Sequence, residues 1–454
     1  MTPGDLAQWA EAARNELLLF ATLGFLLGGF DDLLVDLVWV FLSVKQRIAQ
    51  SAPMHDPLAD AEAQEPMRRI AVFVPAWQEE DVIGDMLRTA LSRWDSAQFV
   101  IFVGCYQNDP ATIAAARAVA HAQVRVPDTV VQGPTTKAEC LNRLYQAMTL
   151  EASTTGQAFD AVLLHDAEDL VHPKELWLFS RLIGRFGLIQ LPVLPLPTMG
   201  SLWISGHYLD EFAQAHSRDL VVRGAVGASI PAAGVGCAIA TPVLAALARR
   251  QNGRPFAEDS LTEDYELGLK LNAMGIPTAF VRWMMDGTTD LIATRAHFPD
   301  KLGDAVRQKA RWTAGIALAG WDRLGWSASW RDNWMRWRDR RALYAACVIS
   351  SGYAALLLSV TLGIGTGHFG GLPKLLTPLL EITGLLLIWR LTVRAFCVSR
   401  HYGWRAGLTS IPRTLISNIV AMLAARAAMM HYISFLRTGV LAWQKTSHRS
   451  PLAP

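Results

Sequence analysis

Asp166, Glu168 and Asp169 put three carboxylates within four residues of the run Leu164-His165-Asp166-Ala167-Glu168-Asp169-Leu170-Val171-His172-Pro173. Residues 161–164 just before them are apolar and read as a buried strand. Carboxylates crowded at a strand's C-terminal edge need a counter-charge. In open α/β sheets ligands bind at that edge, and hard cations such as Mg²⁺ or Mn²⁺ take one or two carboxylates while substrate phosphates supply further ligands. The chemistry on offer is a metal-diphosphate site; the plainer alternative is a solvated acidic turn leading into a helix. His165 and His172 flank the turn without ligand spacing to another histidine and read as structural.

The composition narrows the class. The chain has 454 residues, 51% of them hydrophobic, with Lys and Arg totalling 42 against 40 Asp and Glu. No basic field points to nucleic acid. Five scattered cysteines without C-x-x-C spacing argue against a zinc or disulfide framework and fit a reducing compartment.

The elements that must position the acids follow from patterning. Residues 69–75, 99–105 and 161–164 read as buried strands, and residues 81–93, 110–121 and 137–150 as helices between them. Continuously apolar strands alternating with helices predict an α/β domain with a mostly parallel sheet covered on both faces. No G-x-G-x-x-G or Walker loop is present. The Gly- and Pro-rich stretch 180–247 resists assignment. Residues 260–274 predict a helix, with Ser260 and Glu263 in a capping-box pattern and Gly275 and Pro277 ending it.

The hydrophobic excess is localised. Residues 17–44 are long enough to cross a bilayer, which needs about 20 residues. Asp31, Asp32 and Asp36 interrupt them and must face protein or water, unless the helix breaks near Gly28-Gly29. Residues 45–66 read as a linker. Trp330, Trp334 and Trp337 share a helical face among arginines, which suits a helix at a membrane surface. Residues 343–363 and 375–398 predict two further spans, with Arg390 and Arg394 snorkelling toward the far interface. Residues 408–436, punctuated by Arg413, Arg426 and His431, predict an interfacial amphipathic helix. Lys and Arg flanking these segments place the α/β domain and the C-terminus in the cytoplasm by the positive-inside rule.

Five features in chain order carry a resemblance: Pro75-Ala76-Trp77-Gln78-Glu79-Glu80, Lys137-Ala-Glu-Cys-Leu-Asn142, Asp166-Ala-Glu168-Asp169, Thr262-Glu263-Asp264 and Gln308-Lys-Ala-Arg311-Trp312. Together they resemble a family 2 glycosyltransferase of the membrane-embedded, processive polysaccharide-synthase type, over roughly residues 68–325. The His-Asp-Ala-Glu-Asp phrasing, the Leu-Thr-Glu-Asp-Tyr-Glu-Leu-Gly-Leu helix and the Asp-Asp-Leu of the first span are more narrowly similar to bacterial inner-membrane phage-adsorption glycosyltransferases. In those proteins a cyclic-di-GMP-responsive module often follows the transferase domain. This sequence stops at Pro454, so cyclic-di-GMP-linked regulation would act through another protein.

The resemblance implies a GT-A fold and a role for each matching residue. Asp166 and Glu168 would hold the Mg²⁺ or Mn²⁺ ion on the donor diphosphate; family members more often carry Asp at the second position, which makes Asp169 a substitute ligand. Asp264, with Glu263 beside it, matches the general base that deprotonates the acceptor hydroxyl. At a helix N-terminus the dipole keeps such an acid ionised but weakens it as a base, so burial or Glu263 must push the other way. Gln308, Arg311 and Trp312 look like the acceptor and diphosphate clamp, all on one helix face. Gly234 and Gly236 resemble the Gly-rich acceptor loop. Pro75, Glu79, Lys137, Asp166 and Arg311 are donor-site candidates. The family's acid after the second strand is missing here, leaving Asn108 or Asp109 to read the nucleotide.

The resulting expectation is a metal-dependent inverting transferase. It would take a UDP-N-acetylhexosamine or UDP-hexose donor at the bacterial inner membrane and extend an exopolysaccharide. The expected organisation is a membrane helix in 1–44, a linker in 45–66, the transferase domain in 67–329, an interfacial helix in 330–342, two spans in 343–398, and an interfacial helix with tail in 399–454. Three spans do not make a channel, so a dimer or export partner would complete it. Transfer of one sugar to a polyprenyl-phosphate carrier, and a non-enzymatic receptor or scaffold that kept the fold, stand as alternatives.

Overall fold

The computed structural model describes residues 3–50, 67–128, 131–285, 290–366 and 371–438. The chain opens with α1 (Pro3–Gln50), and β1 (Ile70–Pro75), α2 (Ile83–Arg93), β2 (Phe99–Gly104), α3 (Pro110–Arg117), β3 (Val124–Arg125), α4 (Lys137–Thr155) and β4 (Ala161–Leu164) alternate after it. Next come α5 (Glu175–Leu182), β5 (Leu188–Gln190), β6 (Val193–Pro195) and α6 (Ile204–Gln214). A π-helical turn (Ala215–Asp219), α7 (Leu220–Ala225), β7 (Cys237–Ala240), α8 (Thr241–Arg250), α9 (Glu263–Ala273), β8 (Thr278–Phe280) and β9 (Thr294–Ala296) complete the sheet region. The remainder is helical: α10 (Leu302–Thr313), a second π-helical stretch (Ala314–Ala319), α11 (Gly320–Leu324), α12 (Trp330–Arg340), α13 (Ala342–Thr366), α14 (Leu376–Tyr402) and α15 (Trp404–Thr438).

The main sheet runs β3-β2-β1-β4-β7-β5-β8, parallel except where β7 pairs antiparallel with β4 and β5; β6 and β9 form a separate parallel pair. The expected mixed, mostly parallel α/β architecture is present. Side chains of β1, β2 and β4 divide between two buried layers. Ile70, Val72, Val74 and Leu163 pack with α2 and α5, and Ala71, Phe73, Phe102 and Val162 with α4. Burial on both faces is why these strands read as unbroken apolar runs.

Among the described residues, four helices, in α1, α13, α14 and α15, are long and apolar enough to cross a membrane by length and composition. α1 does not break at Gly28-Gly29, and it continues through residues 45–50 of the expected linker. Residues 51–66 and the tail beyond 438 lie outside the described residues. The acids of α1 face protein, as required: Asp36 Oδ1 accepts from Arg218 at 2.7 Å, and Asp31 and Asp32 pair with Arg338 and Arg341.

Those same pairs correct the reading of α12. Most of its arginines face protein: Arg336 and Arg340 are buried, Arg338 and Arg341 bind α1, and Met335 joins Val35 and Val222 in a small core, while Arg331 stays exposed beside Trp330. Arg394 does not snorkel either. It donates to Asp210 at 3.1 Å, and Arg413 reaches both oxygens of that acid at 2.9 and 2.5 Å. The segment expected to be interfacial is a 35-residue helix, α15, that meets the span criterion of length and composition. Along it, Ala424 and Ala428 nevertheless pack against Ala310 of α10 and Ala314 of the π-helical stretch that follows. Of the residues that made this segment look interfacial, Arg413 is consumed by a buried ion pair, while Arg426 and His431 stay exposed.

Candidate functional site

A cavity of about 830 Å³ opens at the C-terminal ends of β1 and β4 and is walled by α4, α9, α10 and α12. The acidic turn hangs from β4, where His165 N donates to Phe73 O at 3.1 Å. Buried His165 braces that turn from inside: Nδ1 lies 2.7 Å from Asp169 Oδ2 and Nε2 lies 3.0 Å from Glu175 Oε1. Burial alone would disfavour its charge, but Glu175 and Asp169 outweigh it and lift the imidazole to about 10. Asp169 Oδ2 also accepts from Asp166 N at 3.0 Å. Asp169 thus shapes the turn, and it lines the cavity together with Asp166 and Glu168.

Lys137 opens α4, whose first turn is capped by Thr136 Oγ1 accepting from Glu139 N at 3.2 Å. Its Nζ donates to Asp166 Oδ1 at 2.5 Å and to Gly234 O at 3.3 Å. Burial opposes this ammonium, yet Asp166, Glu263 and Asp264 together hold its pKa above the ordinary lysine value.

α9 delivers the other two acids. The expected capping box does not form: Ser260 Oγ donates to Glu266 Oε1 at 2.7 Å and accepts from Thr262 N at 3.2 Å, and Thr262 is the residue before the helix. Asp264 Oδ1 accepts from Tyr265 N at 2.7 Å. Burial raises Asp264, with Lys137 opposing; burial and then Asp264 push Glu263 up to about 7. For Asp264, burial therefore outweighs the opposing Lys137 charge and the hydrogen bond from Tyr265 N. Gly234 has φ +74°, and a Cβ there would run into Asp264 Oδ2 and stand 3.3 Å from Lys137 Nζ. Only glycine allows the loop before β7, Lys137 and Asp264 to meet here.

These observations coincide with an independent one: the family model for glycosyltransferase like family 2 matches residues 66–315. The chain belongs to that family. It is 33% identical over 476 residues to bacteriophage adsorption protein B of Escherichia coli strain K12, covering 98% of this chain and 63% of that protein. Bacteriophage N4 adsorption protein B of Escherichia coli O157:H7 matches to the same extent, so the chain spans under two thirds of the length of these relatives. Among solved structures, the mannosyltransferase PcManGT from Pyrobaculum calidifontis, in complex with GDP-Man and Mn²⁺, aligns with a TM-score of 0.54 at 14% identity, over 91% of this chain and 99% of that one. The likeness establishes a shared GT-A fold.

The fold places Gln308, Arg311 and Trp312 of α10 along the cavity, with Gln308 Oε1 buried and lacking a hydrogen-bond partner among the described residues. Trp312 stands edge-on to Tyr208 at 6.3 Å. Pro75 and Glu79 also line the cavity. Asn108 and Asp109 do not. Asn108 clasps Gly133, donating to its O at 2.8 Å and accepting from its N at 2.7 Å. Asp109 caps α3 through Thr112 N at 3.3 Å and accepts from Gln78 N at 2.5 Å. Both hold loops in place instead of facing the cavity. Gly236, at φ +55°, makes room for Thr294 and is likewise absent from the wall. Unforeseen wall residues are Trp77 and Tyr106, edge-to-face at 5.2 Å, with Arg223, Tyr265 and Asp339. An aromatic residue just past each of β1 and β2 was the available signal for the first two.

Among the described residues no group of three or more His, Cys, Asp or Glu is arranged to hold a metal. A divalent cation completed by a diphosphate and water needs only one or two carboxylates, and Asp166 and Glu168 fit that donor set.

Proposed function

We propose that the protein is a membrane-bound, metal-dependent, inverting glycosyltransferase. It moves a sugar, N-acetylhexosamine or hexose, from a UDP-linked donor to a growing exopolysaccharide on the cytoplasmic face of a bacterial inner membrane. The observation that carries this reading is that Asp166, Lys137 and Asp264 line one cavity, with Lys137 bonded to Asp166 and meeting Asp264 beside Gly234. Asp264 takes the proton from an acceptor hydroxyl, and the hydroxyl oxygen attacks the anomeric carbon. The bond from that carbon to the diphosphate oxygen breaks, and the nucleoside diphosphate leaves. One displacement with one base inverts the anomeric centre. A divalent cation held by Asp166 and Glu168 would neutralise the leaving diphosphate. Lys137 and Arg311 add positive charge nearby, and Trp312 presents a ring to the acceptor sugar. The UDP preference rests on resemblance to UDP-dependent synthases. An export partner or second copy completes the proposed assembly.

The test is nucleotide release by detergent-purified protein with UDP-glucose, UDP-N-acetylglucosamine, UDP-N-acetylmannosamine and GDP-mannose, with Mg²⁺ or Mn²⁺ and with EDTA. Metal-dependent release from one UDP donor, with polymeric product on a gel, is expected. Release unaffected by EDTA removes the metal, release from GDP-mannose alone removes the UDP assignment, and silence with every donor removes the enzymatic reading.

A further inference from the structure

α12 stands between the first membrane helix and the helix that carries Asp264. On one side, Arg341 Nη1 donates to Asp31 Oδ2 and its Nη2 to Asp32 Oδ1, each at 2.8 Å. Arg338 pairs with the same two acids, and Trp334 Nε1 donates to Asp31 Oδ1 at 2.7 Å. On the other side, Asp339 Oδ2 accepts the Tyr265 hydroxyl at 2.7 Å, and Arg223 Nη1 donates to Asp339 Oδ1 and Oδ2 at 2.8 and 2.9 Å. Tyr265 directly follows Asp264 and gives it a backbone N–H. Arg338, Asp339, Arg341, Tyr265 and Asp264 all border the same cavity.

The spacing accounts for the division of labour. Residues 334, 338 and 341 recur at i, i+4 and i+7 and form one stripe, while residue 339 is rotated about 100° from 338, at 3.6 residues per turn. The acids of the clamp are removed from water, with Asp31 and Asp32 side chains only 10% and 9% exposed. Moving α12 away from α1 would strand buried charge, which is strongly unfavourable. The two helices therefore shift together, and Tyr265, 6% exposed, follows through its bond to Asp339. A base must sit within hydrogen-bond reach of the proton it removes, so small displacements of α9 matter.

We infer that Asp339 and Tyr265 are positioning residues for Asp264, and that the clamp of Asp31 and Asp32 on Arg338 and Arg341 transmits the position of the first membrane helix to that base. This rests on the reading of Asp264 as the base. Its consequence is that whatever binds or tilts α1, whether acceptor, partner or bilayer, alters the alignment of the catalytic carboxylate without touching the donor.

The experiment uses the full chain in lipid nanodiscs and two readouts. In sugar transfer, Tyr265→Phe lowers kcat about tenfold, the loss expected from one hydrogen bond. Donor KM is unchanged, and a larger share of donor is hydrolysed by water. In hydrogen exchange, Asp339→Asn and the double variant Asp31→Asn/Asp32→Asn both speed exchange of residues 263–266 while β1 and β4 stay protected. The reversed pair Asp32→Arg/Arg341→Asp restores protection. Wild-type kcat and hydrolysis share in Tyr265→Phe, or unchanged exchange at 263–266 in both charge variants, overturns the inference. If the wild-type protein transfers no sugar, the proposed function fails, and the exchange readout still decides the coupling. If a charge variant loses protection in β1 and β4 it has unfolded, and Tyr265→Phe carries the decision by exchange as well as kinetics.

Discussion

Lys137 Nζ stands 2.5 Å from Asp166 Oδ1, joining the acidic turn after β4 to the helix α4. The same ammonium lowers the pKa of Asp264 against the effect of burial. Lys137→Met removes that charge, so Asp264 and Glu263 ionise only at higher pH. The acid limb of the pH–kcat profile moves upward, and turnover at a fixed pH on that limb drops about tenfold for every pH unit it moves. A profile with an unmoved acid limb would contradict the charge balance described for this site.

Asp264→Asn keeps the shape of the side chain and removes its basicity. Turnover falls by roughly 10² to 10⁴, the usual contribution of a general base. Donor affinity stays within about twofold, as measured by titration calorimetry with the intact nucleotide sugar. Near-normal turnover would take Asp264 out of the role.

His165 is held protonated between Asp169 and Glu175, up to about 10 against an ordinary 6.5. A raised cationic pKa stabilises the fold fully below pH 6.5, and that contribution is lost as pH rises toward 10. His165→Gln leaves two buried carboxylates without their cation and is expected to destabilise by about 3–5 kcal/mol. Thermal unfolding against pH checks both points: the wild-type Tm declines across that window, and the variant starts lower with a flatter profile.

Asp210 is fully buried between Arg394 of α14 and Arg413 of α15. Asp210→Asn strands two guanidinium groups at the seam between the transferase domain and the helical bundle. A loss of about 3–5 kcal/mol is expected, read as lowered Tm in detergent, with trypsin cutting first in α15. A Tm within about a degree of wild type would show that the seam is held by apolar contacts alone.

Much of this arrangement is local and was legible along the chain. Unbroken apolar runs mark β1, β2 and β4 because both faces of each strand are buried. The carboxylates at 166 and 168 follow β4 directly, so strand direction alone brings them to the ligand edge of the sheet. Gln308, Arg311 and Trp312 share a face because helical spacing requires it. Three of the four helices long and apolar enough to cross a membrane, α1, α13 and α14, were legible through length and hydropathy, whereas the arginines of α15 hid the fourth.

Pairing over long separations is a different matter. Arg394 and Arg413 meet Asp210 across 184 and 203 residues, and Trp334 meets Asp31 across 303. Hydrophobic periodicity records which face of an element is covered, not which element covers it, so buried arginines on apolar helices read as interfacial. Asn108 and Asp109 carry the right chemistry for donor recognition, but loop closure turns them to Gly133, Gln78 and Thr112. Asp339 and Tyr265 look ordinary on their own helices. Their proximity exists only because α12 is held against α1 and α9 at once, a relationship set by packing in three dimensions that residue order does not encode.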